Sequence, residues 1–157
     1  MPNLFILLGN QNTRKSSTIR ALTGIYRESY YLVETYPGQI MVYAKSSSLQ
    51  ESRVQPQDFI VKMTKAKYDS ALIALWIHDH HYTNPATGLT EYFPIGSDYI
   101  AAFINANLII QELVVLGASQ LATPLPKNCP SPHFVAGSAT LAANEISCTI
   151  RHWWNWM

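Results

Sequence analysis

The sequence predicts an α/β domain, a three-layer sandwich in which helices cover both faces of a mostly parallel sheet of about five strands. Residues 4–8, 71–77 and 113–116 are continuous apolar runs, which are typical of strands buried on both faces. Segments with helical spacing separate these runs, and this alternation favours parallel strands joined by helical crossovers. The chain contains no internal repeat and no linker, so we expect residues 1–157 to fold as a single domain.

The amino-terminal segment predicts a strand followed by a helix. Residues 4–8 form the strand. Residues 15–23 place Ile19 and Leu22 on one helix face, and Gly24 is suited to cap the end of that helix. The polar segment between the two elements is therefore a strand-to-helix turn.

The next segments predict two short strands and a second helix. Residues 30–33 and 40–44 are rich in residues that favour strands. The Tyr-Pro-Gly turn at residues 36–38 joins them, which predicts a hairpin or two edge strands. Pro56 suits the first turn of the helix that follows.

The rest of the chain alternates strands, helices and two long loops. The loops are recognised by their many Pro, Asn and Gly residues, and the helices by capping residues and apolar spacing. In chain order we expect a strand at 71–77, a loop at 80–96, a helix capped by Ser97 or Asp98, a strand at 113–116, a loop at 118–137 and an amphipathic helix at 138–154.

Composition excludes several classes of protein. Hydrophobic residues make up 48% and charged residues 13%, whereas a disordered chain has low hydrophobicity and high charge. The net charge of +1 gives no global field that would recruit nucleic acid or an anionic membrane. No run approaches the ~20 apolar residues of a membrane span. The two cysteines, Cys129 and Cys148, form no disulfide framework, so we expect a cytoplasmic protein that does not bind membranes.

The most informative segment is the strand-to-helix turn. It matches the phosphate-binding pattern G-x-x-x-x-G-K-[ST] at three positions and departs from it where the second glycine belongs. Backbone N–H groups in such a turn form a concave nest for anions, and the helix N-terminus adds its positive dipole. The segment runs Gly9, Asn10, Gln11, Asn12, Thr13, Arg14, Lys15, Ser16 and Ser17, with Arg14 at the position of the second glycine.

Through these residues and the flanking strand and helix, the chain resembles the P-loop NTPase superfamily. The resemblance implies that Lys15 contacts the β- and γ-phosphates of a nucleotide and that the Ser16 hydroxyl ligates Mg²⁺. Residues 9–17 would wrap the phosphates. Arg14 could clash with the nucleotide, or its guanidinium could add a positive charge to the phosphate site.

A P-loop enzyme also needs an acidic residue at the end of a neighbouring strand to hold Mg²⁺. Asp79 follows the apolar run at 71–77 and is the first choice for this carboxylate. Glu34, at the end of the strand at 30–33, is the substitute. The alternative for Asp79 is a structural aspartate in the loop that follows.

The predicted function is binding of a nucleoside triphosphate with Mg²⁺, possible chemistry being hydrolysis or a small kinase-type phosphoryl transfer. ATP is preferred to GTP, because the sequence has no Asn-Lys-x-Asp run of the sort that GTPases use to read guanine. Lys15 and Asp79 are the catalytic candidates.

Two other functions stay open. A degenerate P-loop module could bind nucleotide, nucleic acid or protein without turnover, which the Arg14 substitution and the aromatic segment at 151–157 favour. In that segment Trp153 and Trp154 fit a helix core, and Trp156 is the candidate contact for a protein partner. Alternatively, the cluster from His78 to His81 could hold a metal ion in a metal-dependent hydrolase.

Overall fold

The structure, a computed structural model, describes residues 1–25, 27–36 and 38–157. Strands, helices and one short 3₁₀ turn alternate along the chain. The strands are β1 (Asn3–Gly9), β2 (Ser29–Glu34), β3 (Gln39–Ser48), β4 (Ser70–Trp76), β5 (His80–Thr83), β6 (Thr90–Phe93), β7 (Ile110–Leu116) and β8 (His133–Val135). The helices are α1 (Lys15–Thr23), α2 (Pro56–Thr64), α3 (Gly96–Asn105) and α4 (Ala143–Trp154), and the 3₁₀ turn is Ser138–Thr140.

Six strands form one mixed sheet in the order β2-β3-β4-β1-β7-β8. All neighbouring pairs are parallel except β2 with β3, which pair antiparallel. The predicted α/β class with a mostly parallel sheet is therefore confirmed, and the sheet has one strand more than expected. The additional strand is β8, which lies inside the segment predicted as the loop at 118–137.

Helices pack on both faces of the sheet, because the side chains of β1 alternate between two apolar clusters. Leu4, Ile6 and Leu8 face the cluster that α2 and α3 complete. Phe5 and Leu7 face the cluster that α1 and α4 complete. Both faces of β1 are thus covered, which explains why its sequence is apolar throughout.

Several helix boundaries agree with the sequence. Helix α1 spans the predicted residues, and Gly24 caps it in a left-handed conformation with its N–H bonded to the carbonyl of Arg20. Pro56 occupies the first turn of α2. Two expectations about helix starts are wrong. The N-cap of α3 is Ile95, not Ser97 or Asp98, and its side chain forms no capping hydrogen bond. The helix predicted from 138 begins at Ala143, because a separate 3₁₀ turn precedes it.

Residues 80–96 do not form a loop. Strands β5 and β6 pair antiparallel there as a separate two-stranded sheet, and α3 begins at Gly96. The two short strands, His-His-Tyr-Thr and Thr-Glu-Tyr-Phe, are mostly residues that favour strands, but the Asn, Pro and Gly residues between them concealed this. Pro37 lies outside the described residues, so the turn at 36–38 is described only in part; β2 and β3 do form the predicted hairpin.

Trp156 is 5% exposed and packs against Phe5 and Trp154. Its assignment as a surface contact for a partner is therefore wrong, because the chain turns at Asn155 (φ 54°) and directs the indole into the core. The expected core position of Trp154 is confirmed, and Trp153 is half-buried and packs against the same cluster. In the described part of the chain, no helix is long and apolar enough to cross a membrane.

Candidate functional site

The turn between β1 and α1 lies at the carboxyl end of the sheet and adopts a strained backbone. Asn12 (φ 60°) and Arg14 (φ 73°) are both left-handed, a conformation that glycine adopts without steric cost. Arg14 stands where the phosphate-binding pattern has its second glycine, and it keeps the backbone geometry that a glycine would favour there.

Two glycines allow the turn to lie close against the end of β7. A β-carbon on Gly9 would lie 2.6 Å from Thr13 Oγ1 and 2.7 Å from the carbonyl oxygen of Leu116. A β-carbon on Gly117 would lie 2.5 Å from Thr13 Cγ2. The buried Ser138 hydroxyl also donates a 2.9 Å hydrogen bond to the carbonyl of Thr13. Thr13 is thus held between two strand ends and the 3₁₀ turn.

Lys15 is 6% exposed and its ammonium group lies inside the turn. It donates hydrogen bonds to the carbonyl oxygen of Asn10 and, over 3.2 Å, to Thr13 Oγ1. Burial lowers the pKa of Lys15 to about 8, and the negative charge of Glu51 partly opposes that shift. A cation in this position attracts anions strongly, because little water screens it.

Helix α1 begins directly after the same turn, at Lys15. Its first turn contains no acidic residue among the described residues, and Arg14 provides no side-chain cap. The N–H groups of the first turn of a helix have no partners within it, so they remain available to an anion. The Ser16 hydroxyl donates a 2.8 Å bond to the carbonyl of Ser46 on β3, which leaves its oxygen lone pairs free to accept.

A cleft of about 510 Å³ lies over this turn. One wall consists of the turn and the start of α1, and the other sides are formed by residues from three separate segments. The lining residues are Gln11, Asn12, Thr13, Arg14, Lys15, Ser16, Ser17, Glu51, Trp76 and Ala139. Seven consecutive residues predicted from the sequence to bind phosphates therefore face one cleft, whereas Gly9 and Asn10, also predicted, are not among its lining residues.

Arg14 lies at the rim of the cleft. Its side chain is exposed, and one guanidinium nitrogen lies 3.5 Å from the carbonyl oxygen of Ala139. The guanidinium therefore points across the opening rather than into the core of the turn. In that position it adds a positive charge beside the cleft without filling the space above Lys15.

Neither carboxylate expected from the sequence lies in the cleft lining. Asp79 follows β4 by three residues, and its carboxylate lies 3.5 Å from His81 Nε2 on the hairpin. Glu34 lies at the opposite edge of the sheet, because β2 runs antiparallel and its last residue pairs with the first residue of β3. The register instead places Trp76 beside Gly9.

Glu51 is the carboxylate that the cleft contains, and the sequence interpretation missed it. It lies in the turn after β3, where its backbone N–H donates a 3.1 Å hydrogen bond to the Ser48 hydroxyl oxygen. Ser48 and Glu51 also have the spacing of a helix capping box, which by itself gives both residues a structural explanation. The usable signal was the polar turn after a strand, since the carboxyl ends of parallel strands meet at one edge.

The histidines from His78 to His81 do not form a metal site. The His78 ring stacks on Trp76, His80 packs edge-on against the same indole, and His81 faces Asp79. Nowhere in the described ranges do three His, Cys, Asp or Glu side chains converge so that they could hold a metal ion.

His78 contacts the turn between β1 and α1 and does not line the cleft. Its Nδ1 lies 3.1 Å from Asn10 Oδ1. Burial and the charge of Lys15 lower the pKa of His78, so the ring is neutral near pH 7. A neutral imidazole fixes the Asn10 side chain without adding a second positive charge behind Lys15.

Comparisons with protein-family models, with curated proteins and with solved structures found no match to this chain.

Proposed function

We propose that this protein binds a nucleoside triphosphate together with Mg²⁺ in the cleft over residues 9–17, as a P-loop protein would, with ATP in preference to GTP. The observation that carries the proposal is the combination of backbone shape and buried charge in the turn. Arg14 has the left-handed backbone of the glycine it replaces, and Lys15 directs its ammonium group into the turn. Together these features supply a concave backbone and a desolvated cation at the end of a central parallel strand.

The donor set of the cleft also fits a magnesium ion carried by the nucleotide. Mg²⁺ takes oxygen ligands and is usually bound by one or two protein groups together with phosphate oxygens. Ser16 offers hydroxyl lone pairs and Glu51 offers a carboxylate, and both line the cleft. When bound, the ion would neutralise charge on the phosphates; Ser16 and Glu51 would hold it in place of the Ser16 and Asp79 pair expected from the sequence.

Different residues of the cleft would contact different parts of the nucleotide phosphates. Lys15 contributes a charge close to the terminal phosphates, and the first-turn N–H groups of α1 donate to the phosphate oxygens. Arg14 lies at the rim, near the carbonyl of Ala139, and leaves the space above Lys15 open to the phosphates. Trp76 and the Gln11 side of the cleft restrict how much water reaches the phosphates.

Isothermal titration of Mg-ATP into the wild type and Lys15→Ala tests the proposal. Wild type should bind with saturation, and Lys15→Ala should lose at least about tenfold in affinity, because a charge-assisted hydrogen bond is removed. Lys127→Ala is the matched control, since Lys127 is exposed and does not line the cleft. Thermal melting of each variant separates loss of binding from loss of folding. Equal affinity in wild type and Lys15→Ala would refute the proposal.

A second candidate is a P-loop module that binds nucleotide without turning it over. The observation that favours it is the arrangement of charge around the cleft: Arg14 occupies the rim and Asp79 faces the hairpin instead of the nucleotide. Release of inorganic phosphate from ATP, measured on the protein whose binding has been established, distinguishes the two. Phosphate release that depends on Glu51 supports the enzyme, and binding without release supports the module.

A further inference from the structure

A second groove, of about 480 Å³, lies at the other edge of the sheet. It is formed by Tyr30 on β2, Met41 near the start of β3, the end of α2 and the segment that leads into β4. The amino ends of the parallel strands lie here, whereas the phosphate-binding candidate lies at their carboxyl ends. The two sites are therefore on opposite sides of the molecule, and nothing argued for the first assigns a role to the second.

Tyrosine rings form a row along this groove. Tyr43, which is buried, stacks on Tyr68 with centroids 5.3 Å apart and planes 18° from parallel. Tyr68 in turn faces Tyr30 at 6.5 Å and 21°. Tyr30 is 66% exposed, so the row ends in a ring that solvent reaches. An exposed aromatic ring beside a groove offers a face on which a flat ligand can stack.

Positive charge borders the same groove. Lys62, Lys65 and Lys67 line it. Lys62 also forms an ion pair with Glu28 and lies 4.3 Å above the Tyr43 ring, which fixes its position. Lys65 and Lys67 form no ion pair with any residue in the described part of the chain. The lining contains no acidic residue, so the groove complements an anion.

From the exposed end of the tyrosine row and the flanking lysines, we infer that this groove binds single-stranded nucleic acid, with a base stacked on Tyr30 and phosphates against Lys65 and Lys67. Aromatic rings bind bases of any sequence, because every base has a flat π face. Lysines beside the rings neutralise the phosphates that join the bases. The observations favour this ligand over an acidic peptide, which needs the positive charge but no parallel rings.

The length of the groove limits the contact to a few nucleotides. The exposed Tyr30 ring accepts about one base, and Lys65 and Lys67 contact about two phosphates. For single strands the slope of log affinity against log salt is about −0.7 for each phosphate neutralised. We therefore expect a slope of roughly −1.4, which is a loss of about sevenfold between about 50 mM and about 200 mM salt.

Fluorescence anisotropy of a labelled oligothymidylate of about 12 nucleotides tests the inference. Tyr30→Ala should weaken binding at least about fivefold, since it removes one base stack. Tyr30→Trp should restore binding. Tyr36→Ala is the matched control, because Tyr36 is 80% exposed and does not line the groove. No binding by wild type, or equal weakening by Tyr36→Ala, would overturn the inference.

The lysines are tested in parallel. The double variant Lys65→Ala, Lys67→Ala should bring the salt slope close to zero, while Lys127→Ala should leave it unchanged. Lys15→Ala should bind the oligothymidylate as wild type does, which separates this groove from the nucleotide cleft. If poly-glutamate of equal charge displaces the oligonucleotide with the same dependence on Tyr30, the ligand is an acidic peptide and the inference is wrong.

Discussion

The ammonium group of Lys15 donates a hydrogen bond to the backbone carbonyl oxygen of Asn10, so the first residue of α1 closes the turn that precedes it. Thr13 Oγ1 donates to the same carbonyl over 2.8 Å. The turn is therefore preorganised around a buried positive charge. An anion that binds there meets groups already in place, which reduces the entropy cost of binding.

The left-handed backbone at Arg14 predicts the effect of restoring a glycine. An L-residue in this conformation costs about 1–2 kcal/mol, whereas glycine gives up about 0.5–1 kcal/mol of chain entropy on folding. Arg14→Gly should therefore leave the free energy of unfolding unchanged or raise it by up to about 1 kcal/mol, with Mg-ATP affinity preserved or raised. Urea unfolding and titration calorimetry measure both quantities.

Arg14→Ala is the control for that variant, because it removes the guanidinium and keeps the left-handed β-carbon. Tighter binding by Arg14→Gly than by Arg14→Ala would show that backbone strain limits the wild type. A large and equal loss in both variants would instead show that the guanidinium is itself a ligand of the phosphates.

The pKa of Lys15 predicts opposite pH trends for stability and for nucleotide binding. Burial lowers this pKa from 10.5 to about 8, so between those values the unfolded chain binds more protons than the folded chain. The free energy of unfolding, relative to Lys15→Met, should therefore rise by about 1–2 kcal/mol from about pH 7.5 to about pH 9.5. Over the same range Mg-ATP affinity should fall roughly tenfold, because the bound phosphates need the protonated amine.

The Lys15→Met variant provides the baseline, since it keeps a long side chain and cannot titrate. Urea unfolding and nucleotide titration are carried out on both proteins at the same pH values. Stability that changes in parallel for the two proteins would place the titrating group elsewhere.

Glu51 and Asp79 are predicted to differ in their effect on magnesium. Glu51 lines the cleft and its charge acts on Lys15, whereas Asp79 contacts His81 outside the cleft. Glu51→Gln should reduce the gain in ATP affinity that Mg²⁺ provides over EDTA, and Asp79→Asn should leave that gain within about twofold of wild type. Calorimetric titration with and without Mg²⁺ checks this. A larger loss for Asp79→Asn than for Glu51→Gln would instead assign magnesium binding to Asp79.

Gly117 and Gly88 form a matched pair for the packing of Thr13. Both glycines are left-handed, but a β-carbon on Gly117 would lie 2.5 Å from Thr13 Cγ2, whereas Gly88 has open space around it. Gly88→Ala should cost about 1–2 kcal/mol of unfolding free energy, and Gly117→Ala about 2–4 kcal/mol, because only the latter adds a steric conflict. Gly117→Ala should also weaken Mg-ATP binding.

Chemical denaturation of the two variants measures the difference. Equal destabilisation by Gly117→Ala and Gly88→Ala would mean that Thr13 moves without cost, and the turn would then be less rigid than its contacts indicate.

The elements predicted best from the sequence were those whose pattern is local. The apolar strands, α1 with its Gly24 cap and the Pro56 start of α2 all depend on residues within a few positions of one another. The hairpin at 80–93 was missed because its short strands are surrounded by Asn, Pro and Gly, which usually indicate loops.

The sequence identified the part of the candidate cleft that lies on one continuous segment, but not the part that depends on the order of strands in the sheet. Gln11 to Ser17 face the cleft together because they are consecutive. Glu51 reaches the same cleft because β3 lies two strands from β1 in the sheet. The spacing of residues along the chain does not reveal this order of strands. Asp79 follows the end of β4 closely, as expected for a residue that holds Mg²⁺, but its carboxylate contacts His81 on the hairpin.

The measurement that tests the central claim most directly is an amide NMR titration of the uniformly ¹⁵N-labelled protein with Mg-ATP. The N–H groups from Gln11 to Ser17 should show the largest shifts, because they donate to the phosphate oxygens, and Lys15→Ala should abolish those shifts. Shifts confined to other parts of the molecule, or none on saturation with nucleotide, would contradict the account.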